Sequence, residues 1–136
     1  MNTETEQVIT QYLKTQFENI PWLYAIEQLP LIGVGGSFRN IGEISRKNNI
    51  LSTTISDNYP MEAKEVLNIY ALVKTKDLNQ RKKIKGLSKD RADIFLGAYS
   101  IISSFINFTG TSEAIISSYG VRHGIIQEIL QSQKLF

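Results

Sequence analysis

Leu31-Ile32-Gly33-Val34-Gly35-Gly36-Ser37-Phe38-Arg39 decides the fold. A short unbroken apolar run that ends in glycines suits a buried strand turning sharply. Ser37 stands where a helix cap belongs, and Phe38, Ile41 and Ile44 are spaced to share one face of the helix that follows. The pattern returns downstream. Glu113-Ala114-Ile115-Ile116-Ser117-Ser118 reads as a second strand, and Tyr119-Gly120 turns it into a last helix carrying Ile125, Ile126, Ile129 and Leu130. Short strand-to-helix turns are how parallel strands of an α/β sheet present backbone N–H groups at their C-terminal ends. Gly35-Gly36-Ser37 and Gly120-Val121-Arg122 are therefore expected on one edge of the sheet.

The rest of the chain reads as helix. Thr3 and Glu6 form a capping-box pattern, and Val8, Ile9, Tyr12, Leu13 and Phe17 recur at helical spacing as one core-facing stripe until Pro21. Pro60 fits the first position of a helix bearing Val66, Leu67, Tyr70 and Val73, and Asp77 fits the cap of a short basic turn beyond it. The longest helix is predicted from Ser88 to about Phe108, stopped by Gly110 and buried on most sides because Ile94, Phe95, Leu96, Tyr99, Ile101, Ile102, Phe105 and Ile106 leave it almost no polar face. The fold class is α/β, predominantly helical, with two short parallel strands. Two strands do not make a self-sufficient sheet, which implies that part of the sheet lies elsewhere.

Composition narrows the function. With 136 residues, 42% of them hydrophobic, residues 1–136 are expected to form a single domain around one core. No stretch approaches the roughly 20 apolar residues of a membrane span, and the polar, acidic start Met1-Asn2-Thr3-Glu4-Thr5-Glu6 does not read as a signal peptide, so a cytoplasmic protein with no membrane partner is expected. The absence of cysteine excludes disulfides and thiolate metal sites, and the single histidine, His123, excludes a multi-histidine centre. On its own, His123 reads as a surface or capping residue.

The net charge of +2 is unevenly distributed. From Lys74 to Arg91 there are eight bases against two acids, Asp77 and Asp90, for a local net charge of +6. Such a run is either a solvated face or a surface that meets a polyanion. Two features favour the anion. Glycines at 35 and 36 let backbone approach a ligand at a helix N-terminus, where Arg39 has the reach for bidentate contact with phosphate oxygens. Arg91 stands at a predicted helix start, a place that the macrodipole reserves for anions.

Three segments together resemble one family, the exopolyphosphatase and guanosine pentaphosphate phosphohydrolase family of the sugar kinase, actin and heat-shock ATPase superfamily. They are Gly33-Val34-Gly35-Gly36-Ser37-Phe38-Arg39-Asn40-Ile41-Gly42, then Arg81-Lys82-Lys83-Ile84-Lys85-Gly86-Leu87-Ser88-Lys89-Asp90-Arg91-Ala92-Asp93-Ile94, then Ser117-Ser118-Tyr119-Gly120-Val121-Arg122-His123-Gly124. The likeness runs from about Pro30 to Leu130. It implies the second, partial domain of a ribonuclease H-like actin and sugar-kinase fold, with the first lobe absent. The upstream half that carries the family's catalytic glutamate, and its Asp-x-Gly-Gly-Gly-Ser phosphate loop, have no match here, so Met1 reads as the start of a fragment or of a truncated product. Where relatives have Gly-Leu-Arg-Glu-Gly, this chain has Gly120-Val121-Arg122-His123-Gly124.

The resemblance implies hydrolysis of a terminal phosphoanhydride in inorganic polyphosphate or guanosine pentaphosphate, with Mg²⁺ held by the missing half. No catalytic residue is assigned to this chain, which is expected to be inactive alone. Its expected substrate-binding residues are Gly35, Gly36, Ser37, Arg39, Lys89, Arg91 and Arg122, with Arg81, Lys82, Lys83 and Lys85 as a track for a long polyphosphate. The missing N-terminal lobe is the expected partner, and a homodimer is compatible with the sequence. Two other readings are weaker. Ile41 to Ser56 scans as a helix-turn-helix, but its second helix, Ser52 to Ser56, has no Arg, Lys, Asn or Gln to read bases, so nucleic acid is not expected as a partner. The remaining alternative is a non-catalytic helical interaction domain.

Overall fold

The computed structural model describes residues 3–26, 29–48 and 58–133. Helix α1 (Thr3–Glu18) and a 3₁₀ turn (Pro21–Ala25) lead into strand β1 (Leu31–Val34) and helix α2 (Gly36–Asn48). Strand β2 (Tyr59–Glu62), helix α3 (Ala63–Lys74) and the short α4 (Leu78–Arg81) follow. A 3₁₀ turn (Lys89–Arg91) precedes α5 (Phe95–Thr109), strand β3 (Glu113–Ser117) and α6 (Val121–Ser132).

The two expected strand-turn-helix units are present, and their strands pair. β1 lies parallel to β3 with Leu31 opposite Ala114 and Val34 opposite Ser117. β3 is central because a third strand, β2, pairs antiparallel on its other side with Tyr59 opposite Ile116. That strand is a correction. Pro60 does not open a helix; it stands in β2 opposite Ile115, an edge position where its missing N–H costs no ladder bond, and α3 begins at Ala63. β1 is an edge strand as well, so it is buried on one face only, with Ile32 and Val34 61% and 50% exposed.

On the covered face, α2, α3 and α5 close a core built on Ile41, Ile44, Val66, Val73, Phe95, Tyr99 and Ile116. The Phe38 ring lies so close over Gly33 that a Cβ there would meet it at 2.1 Å, which presses α2 against β1. Tyr99 satisfies its buried hydroxyl by donating to Val66 O at 2.9 Å and stacks on Tyr70 at 5.4 Å. Burial pushes the Tyr99 phenol far above its ordinary value.

The helices depart from the periodicity reading in instructive ways. α5 starts at Phe95 rather than Ser88, and the Ser88 side chain caps nothing; residues from Gly86 to Arg91 instead lie along α2, held by contacts a helix could not make. Ile94 and Ile101 are exposed, so the apolar wrap of α5 exceeds what the core covers. Gly110 does stop the helix, in a left-handed conformation with φ 68°. In α1 no residue is fully buried; Val8 and Tyr12 face outward, while Phe17 packs edge-on against Phe105 with ring centroids 5.7 Å apart. Glu6 does not serve a capping box. It pairs with Lys74 Nζ at 2.8 Å and tethers α1 to α3. Asp77 caps as expected, its Oδ1 accepting the Gln80 N–H at 2.8 Å. The second helix of the helix-turn-helix pattern lies outside the described residues, and the first half of that pattern is the core-facing part of α2.

Candidate functional site

The parallel pairing of β1 with β3 carries both strand-to-helix turns to one end of the sheet. Val34 and Ser117 are register partners at that end. Beyond Val34 the chain turns through Gly35, whose φ of 100° is strained for any side chain, and enters α2 at Gly36. Beyond Ser117 it passes through Ser118, Tyr119 and Gly120 into α6. Two helix N-termini, with their unpaired N–H groups and positive dipole ends, therefore converge.

Between them lies a cavity of about 430 Å³ whose lining includes Gly35, Arg39, Tyr119, Gly120, Arg122 and His123 and contains no acidic residue. Neither α2 nor α6 carries an acid in its first turn. Helix starts ordinarily attract Asp and Glu, so two such starts furnished with arginines leave positive potential unmatched within the fold. The arrangement can bind an oxyanion by backbone N–H groups and guanidinium forks. Its lining holds no carboxylate that could serve as a general base.

Each expected site residue has a definite place. Gly35, Arg39 and Arg122 line the cavity together. Gly36 opens α2 just beside it, and the Arg91 guanidinium lies over Gly36, where a Cβ would meet Nη1 at 2.1 Å. Arg91 has no acidic partner among the described residues, although Asp90 and Asp93 are near it in sequence; Asp93 Oδ1 accepts the N–H of Ile94 instead. Ser37 is inside the first turn of α2 rather than at its cap, since the helix begins one residue earlier. Lys89 is exposed on the 3₁₀ turn and does not line the cavity.

The basic track divides. Lys82, Lys83 and Lys85 are exposed. Arg81 is committed to the fold: its Nη1 donates to Ala92 O at 2.8 Å and its Nε to Lys76 O at 3.2 Å, tying α4 to the turn that precedes α5.

Two residues of this region carry no advance signal in the sequence. Asn40, inside α2, accepts the Ser88 N–H on Oδ1 at 3.2 Å. Tyr119 packs edge-on against the His123 ring with centroids 5.1 Å apart, while His123 Nδ1 accepts the Gly120 N–H at 3.1 Å. His123 is thus a capping residue of α6 that also faces the cavity.

Comparison with known proteins agrees with this architecture. The sequence model of the Ppx/GppA phosphatase family matches residues 1–133. Among curated proteins, none matches this sequence. In structure, the chain is similar to an exopolyphosphatase from Cytophaga hutchinsonii, with a TM-score of 0.83 at 19% identity over 97% of this chain and 43% of that one. It is also similar to the Ppx/GppA family member of Aquifex aeolicus, with a TM-score of 0.74 at 16% identity over 96% of this chain and 42% of that one. The chain thus spans less than half the length of these solved relatives, and it has the expected actin-like fold in part, as a small mixed sheet packed by helices. With its family model matched over nearly its whole length, the chain belongs to the Ppx/GppA phosphatase family.

Proposed function

We propose that this chain is the phosphate-gripping half of a phosphoanhydride hydrolase acting on inorganic polyphosphate or guanosine pentaphosphate. One observation carries the reading: a cavity at the convergence of two helix N-termini, lined by Arg39, Arg122 and His123 with no carboxylate. Phosphoryl transfer is catalysed mainly by positioning and by neutralising charge on the phosphoryl oxygens, and these groups do both. Arg39 and Arg122 hold oxygens from the two sides of the cavity, backbone N–H groups of α2 and α6 complete the cradle, and Arg91 flanks it over Gly36.

The cavity holds no carboxylate to activate the water, so we assign a carboxylate base to a second lobe corresponding to the remaining length of the relatives. Two features support such a partner. α6 buries none of its residues, although Val121, Ile125, Ile126 and Ile129 are large and apolar, and an isolated helix of three turns is marginal in water. The open face of the sheet exposes Ile32 and Val34 as well. As for Mg²⁺, the described residues contain no cluster of three or more acidic or histidine ligands, and a lining with two arginines and no carboxylate does not fit a divalent cation. No role above runs through a metal, and we assign any Mg²⁺ to the second lobe.

Titration calorimetry with tripolyphosphate at low salt tests the reading. Binding is expected, weakened about ten- to a hundred-fold by Arg39→Ala and by Arg122→Ala, since a charge-assisted hydrogen bond contributes roughly 1.5–3 kcal/mol. Phosphate release by this chain alone is expected to be absent. Failure to bind tripolyphosphate, or appreciable turnover without the second lobe, overturns the proposal.

A further inference from the structure

We infer that Asn40 is a positioning residue that sets the Arg91 guanidinium over the start of α2, a role that rests on the phosphate-site reading above. The stretch from Gly86 to Arg91 runs back along α2 and touches it once per helical turn. Gly86, at φ 96°, packs so tightly that a Cβ would stand 2.6 Å from Glu43 C, Glu43 O and Ile44 N. The Ser88 N–H donates to Asn40 Oδ1 at 3.2 Å. Arg91 covers Gly36. Residues 44, 40 and 36 are spaced four apart, so each step climbs about one turn, or roughly 6 Å, toward the N-terminus of α2.

Asn40 is the only one of these contacts made by a side chain of α2. Only 8% of it is exposed, and Ile41 and Ile44 beside it are core residues. Asparagine is a poor helix former, and a buried amide is costly unless it is bonded. A purely structural helix is better served here by an apolar residue. What the amide does instead is fix the peptide from which the Arg91 turn springs: Asn40 holds the Ser88 N–H, and the Ser88 carbonyl accepts the Arg91 N–H at 3.0 Å. Arg91 has no acidic partner of its own among the described residues, so its guanidinium is placed by this pinned turn.

A double-mutant cycle read by tripolyphosphate titration, with urea unfolding alongside, tests the inference. Asn40→Ala is expected to weaken binding about three- to ten-fold, the worth of one hydrogen bond, and Arg91→Ala about ten-fold. The double variant is expected to bind no more weakly than Arg91→Ala alone, because Asn40 acts through Arg91. A general loss of stability does not produce that pattern; it lowers affinity in both backgrounds. Asn40→Asp, which keeps an acceptor for Ser88, is expected to bind more tightly than Asn40→Ala. Should Asn40→Ala not fold, Asn40→Ser, with its shorter reach, takes its place under the same criteria. Additive losses in the double variant overturn the inference, as does full affinity in Asn40→Ala beside weakened binding in Arg91→Ala. Absence of binding by the unmodified chain, or full affinity in Arg91→Ala, overturns instead the phosphate role of Arg91 on which the inference rests.

Discussion

The guanidinium of Arg91 lies directly against Gly36, with Nη1, Cζ and Nη2 all within 2.6 Å of where a Cβ would stand. A cation seated at a helix N-terminus is unfavourable by itself, and the contact exists because the turn that carries Arg91 is fastened to α2 below it. Gly36 is therefore selected by the space it leaves, and its replacement has a defined consequence. Gly36→Ala is expected to push the guanidinium aside. Because the obstructing atoms are the end of a flexible side chain, the fold should lose less than about 1 kcal/mol in urea unfolding, while tripolyphosphate affinity falls to that of Arg91→Ala. A loss of stability with unchanged affinity contradicts this.

Gly86→Ala is expected to behave in the opposite way. Its φ of 96° is strained for alanine, and the atoms in the way are the backbone of Glu43 and Ile44, which cannot yield without distorting α2. Both penalties act together, so destabilisation above about 2 kcal/mol is expected from the urea midpoint and slope.

Tyr99→Phe isolates one buried hydrogen bond. Removing the hydroxyl takes away the bond it donates at 2.9 Å to the Val66 carbonyl, which keeps its place in the hydrogen-bond ladder of α3, and about 0.5–1.5 kcal/mol of stability should be lost with little change in packing. Tripolyphosphate affinity should be untouched, since the ring lies in the core and not at the cavity.

Stability should also fall in alkali. The hydrogen bond to Glu6 holds the Lys74 ammonium above its ordinary value of 10.5, and burial holds the Tyr70 phenol above 10.0. Both groups keep their protons longer in the folded state than in the unfolded chain. Their contribution is therefore complete below about pH 10 and is lost as the pH rises through the raised values. Unfolding midpoints measured between pH 8 and 11 should decline over the upper part of that range. Lys74→Met should flatten part of the decline, and an unchanged profile in that variant contradicts the assignment to Lys74.

Several elements were legible from sequence because local chemistry specifies them. The run Leu31–Val34 followed by glycines reads as a strand and turn, Gly110 as a helix stop, and Asp77 as a cap, since each depends on residues within a few positions. β2 was hidden because Tyr59-Pro60 presents a helix-start signal, and only the vacant side of β3 makes it a strand. The long helix was overextended for the same reason: Ser88 and Asp90 satisfy helix propensity, while the surface of α2 offers the Gly86–Arg91 segment a better set of contacts.

The sequence by itself determined the two strand-turn-helix units, their glycines and the arginines that follow them, because periodicity and turn chemistry are written in adjacent residues. Only the tertiary structure decided which cations share a site. Pairing of β1 with β3 brings Arg39 and Arg122 to one cavity, while Arg81, in the same basic run as Lys82 and Lys83, is spent on the carbonyls of Lys76 and Ala92. A charge is visible in one dimension, but its partner is set by packing between segments far apart in the chain.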